Sequence, residues 1–87
     1  MKIVFDESSW KYEVNKPLNN RYFLRHALEY FKDLIYLREY IYLNQIYEHL
    51  GLGWDPDNEN VCFRKGIRPF TYEFKELESG GFEITIH

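Results

Sequence analysis

From Leu18 to Leu50 the chain carries no proline and no glycine, and nothing else in it limits the architecture as strongly. One long helix from Asn19 to Leu50 satisfies that constraint, and so do two helices separated by residues that prefer another conformation. Local chemistry speaks for the break. Tyr40-Ile41-Tyr42 is aromatic and β-branched, which suits a pleated surface, and Asn44 offers a fresh N-cap. We read a long helix, a short strand at Glu39–Tyr42 and a short second helix, with the continuous helix as the alternative.

The two helical segments carry their own signals. In the first, Asn19 is the expected N-cap, with Leu18 and Phe23 placed for a hydrophobic staple. Leu24, Ala27, Leu28, Phe31, Leu34 and Ile35 then recur at helical spacing, with Arg21, Arg25, Glu29, Lys32 and Asp33 opposite. In the second, Leu43, Ile46, Tyr47 and Leu50 form one apolar side. Gly51 follows at the position where a helix end wants a left-handed residue, and Leu52 can pack back on Tyr47.

The flanks read as strands. Lys2–Phe5 and Trp10–Val14 bracket the turn-favouring run Asp6-Glu7-Ser8-Ser9, and Trp10, Tyr12 and Val14 alternate with charges, so an N-terminal hairpin is expected. After the Gly53-to-Asn58 turn, Asn60–Arg64 makes a short strand with Val61 and Phe63 on one face. A strand starting at Pro69 and another after Gly80-Gly81 make a C-terminal hairpin within a three-stranded antiparallel region. A three-residue loop Ser79-Gly80-Gly81 pairs Phe74 with Ile86 and gathers the apolar set on one face. A two-residue Gly80-Gly81 loop pairs Lys75 with Ile86 and separates Phe74 from it, and a slip of one residue inverts every side chain. The longer loop is the better reading. The expected fold is one α+β domain over residues 1–87.

Composition narrows the function classes. Two Trp, eight Tyr and seven Phe are more aromatic surface than an 87-residue core encloses, given about 150–250 Å² per ring side chain. Some therefore face outward, either with buried rings and wet hydroxyls or as a contact patch. Net charge is −3, and the excess falls after Gly51, where Asp55, Asp57, Glu59, Glu73, Glu76, Glu78 and Glu83 outnumber Arg64, Lys65, Arg68 and Lys75. That balance argues against generic phosphate binding. Cys62 stands alone, which excludes an intrachain disulfide and fits a reducing compartment. No apolar run suits a membrane span, so a soluble cytoplasmic protein without membrane contact is expected.

Site chemistry is sparse. Asp55, Asp57 and Glu59 have the spacing that opens a calcium loop, but Asn60 and Gly66 stand where such a loop needs glycine and glutamate. His26, His49, His87 and Cys62 lack the short intervals of structural zinc sites, and His49 reads as a complement to the helix C-terminus. Ser8 and Ser9 have no glycine elbow, Cys62 has no nucleophile signature, and no glycine loop cradles a phosphate. A non-enzyme without cofactor or metal is expected. Phe63-Arg64-Lys65-Gly66-Ile67-Arg68 is the one stretch that interleaves cations with aromatics, as single-strand binders do. The candidate interaction surface is Tyr36, Tyr40, Tyr42, Trp54, Arg64, Lys65 and Arg68.

His-Ala-Leu-Glu-Tyr-Phe at 26–31, Leu43-Asn44, Leu50-Gly51-Leu52 and Gly53-Trp54 together resemble a family of short uncharacterised proteins. Prophages and mobile elements of Gram-positive bacteria encode that family, and the likeness covers roughly residues 22–66. In the family a polar insert separates the Leu-Gly-Leu from the Gly-Trp, whereas here the two are fused. The resemblance implies a helix, a short strand, a second helix and a later strand, together with a mobile-element setting. It implies no activity. The leading expectation is a small non-catalytic protein that binds an unidentified protein partner or itself. The alternative is a nucleic-acid-binding accessory using Arg64, Lys65 and Arg68.

Overall fold

A computed structural model describes residues 1–66 and 70–87. Its elements are β1 (Lys2–Phe5), α1 (Pro17–Arg38), β2 (Tyr40–Tyr42), α2 (Leu43–His49), a single 3-10 turn at Pro56–Asn58, β3 (Cys62–Arg64), β4 (Tyr72–Glu76) and β5 (Phe82–Ile86). The fold is α+β. One antiparallel sheet has the order β1-β5-β4 and a second pairs β2 with β3.

Strand alternation builds the core of the larger sheet. Phe82, Ile84 and Ile86 of central β5 are buried, as are Ile3 and Phe5 of β1, because side chains two apart share a face. The α1 residues Leu24, Ala27, Leu28, Phe31 and Ile35 join them in one cluster, as the helical spacing predicts. Ile41, Leu43, Ile46 and Leu50 extend that cluster across β2 and α2.

The helix does break. It ends at Arg38, and Glu39 takes a left-handed conformation at φ 71° while its N–H donates to the Ile35 carbonyl at 2.8 Å. A non-glycine residue there costs about 1–2 kcal/mol. The β2–β3 ladder holds it in place, since the Lys65 N–H donates to the Glu39 carbonyl at 2.8 Å. The strand that follows begins at Tyr40, one residue later than Glu39.

At the other end of α2 the expected stop is present. Gly51 has φ 75°, its N–H donates to the Glu48 carbonyl at 3.0 Å, and the Leu52 N–H donates to the Tyr47 carbonyl at 2.9 Å. Those are the two bonds of a Schellman cap.

Several sequence expectations are corrected. Residues 10–14 do not form the second strand of an N-terminal hairpin; β1 pairs instead with β5, Ile3 opposite Ile84 and Phe5 opposite Phe82. Trp10 and Val14 are 80% and 64% exposed, so their alternation marks no buried face. The segment closes α2 instead: the Ser9 hydroxyl donates to the Leu50 carbonyl, and Lys11 Nζ donates to the His49 carbonyl at 2.6 Å. β1 is therefore the third strand of the C-terminal sheet, and β3 leaves it to pair with β2.

Asn19 is not the N-cap of α1. The helix starts two residues earlier, with Pro17 in its first turn, where a missing N–H costs nothing. Leu18 is 76% exposed and makes no staple. Asn20 is buried instead, accepting from the Glu13 N–H at 2.9 Å and donating to the Glu13 carbonyl at 2.8 Å. Asn44 likewise caps no helix. Tyr42 takes the N-cap position of α2, its N–H donating to Gln45 Oε1 at 2.8 Å.

The C-terminal loop has three residues, but they are Glu78-Ser79-Gly80. Leu77 and Gly81 close it, with the Leu77 N–H donating to the Gly81 carbonyl at 2.7 Å and the Gly80 N–H to the Leu77 carbonyl at 2.9 Å. Phe74 then faces Ile84, and Tyr72 faces Ile86. The faces are those expected and the partners shift by two. Gly80 at φ 95° supplies the left-handed loop position. Gly81 lies flat against β1, where a Cβ would come within 3.0 Å of the Asp6 Cβ and 3.2 Å of the Phe5 carbonyl oxygen. The expected strand start at Pro69 lies outside the described residues.

Three substitutions test the helix ends. Gly51→Ala strains φ and drives its Cβ to 2.5 Å from the Ser9 Oγ; we expect a loss of about 2–3 kcal/mol in urea unfolding. Gly53→Ala, also at positive φ but with open space around it, should lose only about 1 kcal/mol. Equal losses would mean that contact with the Ser9 loop contributes nothing. Glu39→Gly should raise stability by about 1 kcal/mol by relieving the left-handed glutamate, and a fall in the urea midpoint would contradict that account.

Candidate functional site

β2 and β3 present one face inward and one outward. Ile41 is buried, and its partner Phe63 packs edge-on against buried Phe70 with ring centroids 5.7 Å apart. The opposite face carries Tyr40 beside Arg64 and Tyr42 beside Cys62, the cross-strand partners on that side. Tyr40 and Tyr42 are both exposed, and their rings meet edge to face at 5.5 Å.

Cations complete this face. The Arg64 guanidinium carbon lies 5.9 Å from the Tyr40 ring centroid. Lys65 Nζ lies 4.2 Å from the ring of Tyr36, an exposed residue in the last turns of α1. Such contacts are worth about 0.5–1 kcal/mol each at exposed sites, enough to bias side-chain orientation without immobilising it. Arg64 thus joins Tyr40 and Tyr42, while Lys65, one residue on, joins Tyr36; Arg64 and Lys65 both line a shallow groove with Glu39. A groove of about 460 Å³ opens beside Tyr36 and Lys65, with Lys32, Asp33, Ile35 and Phe70 among its lining.

Two expected members do not join this cluster. Trp54 is exposed, but the ring and cation contacts of the cluster, among the described residues, do not include it. Its neighbour Asp55 is held by Asn44, which donates to the Asp55 carbonyl at 2.9 Å and accepts from the Asp55 N–H at 3.0 Å. Arg68 lies outside the described residues.

Charge is distributed unevenly. Among the described residues the ion pairs all use a glutamate of the larger sheet: Lys2 and Lys75 with Glu83, Arg21 of α1 with Glu76, and His87 with Glu73. Arg64 and Lys65 have no carboxylate partner among the described residues; they rest on tyrosine rings instead. Glu39 shares a shallow groove with them but pairs with neither. Sequence reasoning missed Leu37, 77% exposed next to Tyr36. Its place off the apolar stripe of α1 was the available signal.

The other residues weighed for chemistry have separate surroundings. The Asp55 carboxylate accepts from the Asp57 N–H at 2.9 Å and so caps the 3-10 turn. His26 packs on Tyr22, His87 meets Glu73, and Cys62 sits on the outer face of β3. His49 lies among three α1 rings, stacked on Tyr30 at 5.3 Å and on Phe23 at 6.4 Å and edge-on to Phe31 at 5.1 Å. Burial, and then the nearby Lys11 charge, push its pKa below the ordinary histidine value. It is thus poorly suited to the expected role as cation at the helix C-terminus; Lys11 fills that role from the loop.

No protein-family model matches the chain, and searches of curated proteins and of solved structures returned no match.

The His49 environment sets a pH dependence. Folding favours the neutral ring, so this contribution is complete above the unfolded pKa near 6.5 and is lost as pH falls through the lower folded pKa. Urea midpoints should decline as pH falls below about 6.5, and His49→Gln should flatten that decline. The same slope in both proteins would contradict the assignment.

Proposed function

We propose that this chain is a small non-catalytic protein that works by binding another protein through the face of Tyr36, Tyr40, Tyr42, Arg64 and Lys65. The observation that carries the reading is exposed Tyr40 and Tyr42 beside Arg64 on the outer face of a ribbon backed by Ile41 and Phe63, with the Lys65–Tyr36 pair at its Arg64 end. Aromatic and arginine side chains dominate the energetics of protein interfaces, and a packed backing limits the entropy lost on binding. With the family resemblance over residues 22–66, the setting proposed is an accessory protein of a phage or mobile element, acting in the cytoplasm. No helix among the described residues is long and apolar enough to cross a membrane.

A second reading has one observation in its favour: Arg64 over Tyr40 and Lys65 over Tyr36 combine a base-stacking ring with a phosphate-binding cation. Two described cations amount to few phosphate contacts, so single-strand binding would be weak and only mildly salt-dependent. The protein-binding reading is the stronger one.

A photo-crosslinking residue at Tyr40, expressed in the cells the protein comes from, should capture a discrete protein. The same residue at Tyr22, exposed at the far end of α1, should not. Identical or empty patterns at both positions would remove the proposal, and nucleic acid captured at Tyr40 would favour the second reading.

A further inference from the structure

We infer that a second copy of this chain pairs along the outer edge of β4, antiparallel and centred on Phe74, at a surface separate from the tyrosine face. The backbone supplies the first ground. β4 ends the sheet β1-β5-β4. The His87 N–H donates to the Thr71 carbonyl and the Leu77 N–H to the Gly81 carbonyl, so Thr71, Glu73, Lys75 and Leu77 turn their backbone groups toward β5. The residues between them turn theirs the opposite way, and Tyr72, Phe74 and Glu76 direct N–H and C=O groups out from the edge. Outside the ladder, no backbone bond among the described residues engages these groups.

The other strands offer less to a copy of themselves. By the same alternation β1 turns only Lys2 and Val4 outward, and they provide no pair of opposite charges. β3 has three residues, and the Tyr42 N–H of β2 is held by Gln45 Oε1 at 2.8 Å.

Charge selects the occupant and the register. Glu73 and Lys75 are exposed, two residues apart on one face of β4. Setting Phe74 against its counterpart puts Glu73 of each copy opposite Lys75 of the other. That position lies between hydrogen-bonded pairs, where Cα atoms are only about 4.5 Å apart and side chains meet most closely. A slip of two residues either way sets Glu73 on Glu73 or Lys75 on Lys75, and like charges directly opposite are destabilising. The contacts these side chains make within the chain do not compete strongly. Glu83 keeps Lys2 at 3.6 Å when Lys75 turns away, and His87 attracts Glu73 only when its ring is protonated. On the other face of the strand, half-buried Phe74 lies edge-on to Phe82 at 6.2 Å and has ring area left for its counterpart.

Sedimentation equilibrium of the full chain should show a reversible monomer–dimer equilibrium. Glu73→Lys alone and Lys75→Glu alone should each weaken dimerisation about tenfold, because each places two like-charge pairs in the interface. An equimolar mixture of these two variants should recover it, since every charge then faces its opposite across the edge. Glu73→Gln with Lys75→Gln, which removes attraction without adding repulsion, should fall between the parent and the single reversals. All variants should keep the circular dichroism spectrum of the parent, since the substituted side chains are exposed. A parent chain that stays monomeric at millimolar concentration overturns the inference. Single reversals that dimerise as the parent does, or a mixture no better than its components, overturn it as well. Dimerisation lost in Tyr40→Ser but kept in Glu73→Lys would place the contact on the tyrosine face and also overturn it.

Discussion

The Ser9 hydroxyl bonded to the Leu50 carbonyl is the contact on which the arrangement turns. The last carbonyls of a helix have no partner within it, and α2 has only seven residues over which to compensate. Ser9 and Lys11 reach those carbonyls from the loop after β1, and the close approach requires a residue without Cβ at Gly51. The loop thereby ties β1, at the edge of the larger sheet, to the helix that follows the smaller one. Tyr12 extends the tie to the C-terminal hairpin, its hydroxyl donating to the Gly80 carbonyl at 2.8 Å while its ring packs on Phe5.

The proposed interaction face follows from what happens at the other end of α2. A left-handed Glu39 turns the chain out of α1 and into β2, which places Tyr36 of the helix near the strand that carries Tyr40 and Tyr42. Pairing with β3 then brings Arg64 opposite Tyr40 and Lys65 next to Glu39. Without the break, Tyr40 and Tyr42 would lie about 200° apart around a helix. With it, they share a surface.

The parts of the fold legible in the sequence are those decided within a few residues. Helical spacing from Leu24 to Ile35 gave the buried face of α1, the β-branched aromatic run gave the break, and Gly51 gave the end of α2. Of the candidate residues, Tyr40, Tyr42 and Arg64 lie together and Lys65 rests on Tyr36, while Trp54 makes none of these contacts. Short-range rules failed where a local signal had two readings of similar energy. Asn19 and Asn44 both read as caps by composition, yet Asn19 caps no helix and Asn44, like Asn20, is buried as a clamp on backbone outside its own helix. Trp10-Lys11-Tyr12-Glu13-Val14 alternates like a strand, but its backbone lies against the end of α2 instead of a neighbouring strand.

Sequence alone therefore determined element type wherever periodicity and backbone conformation agree, because those preferences act through neighbours along the chain. Tertiary structure decided which strand lies beside which, the hairpin partners of β5, and the assembly of the tyrosine face. Pairing β1 with β5 joins residues from opposite ends of the chain, and no local propensity encodes a contact at that separation. It is selected by burial of Ile3, Phe5, Phe82 and Ile84 against α1, a free energy that exists only once the whole core has formed.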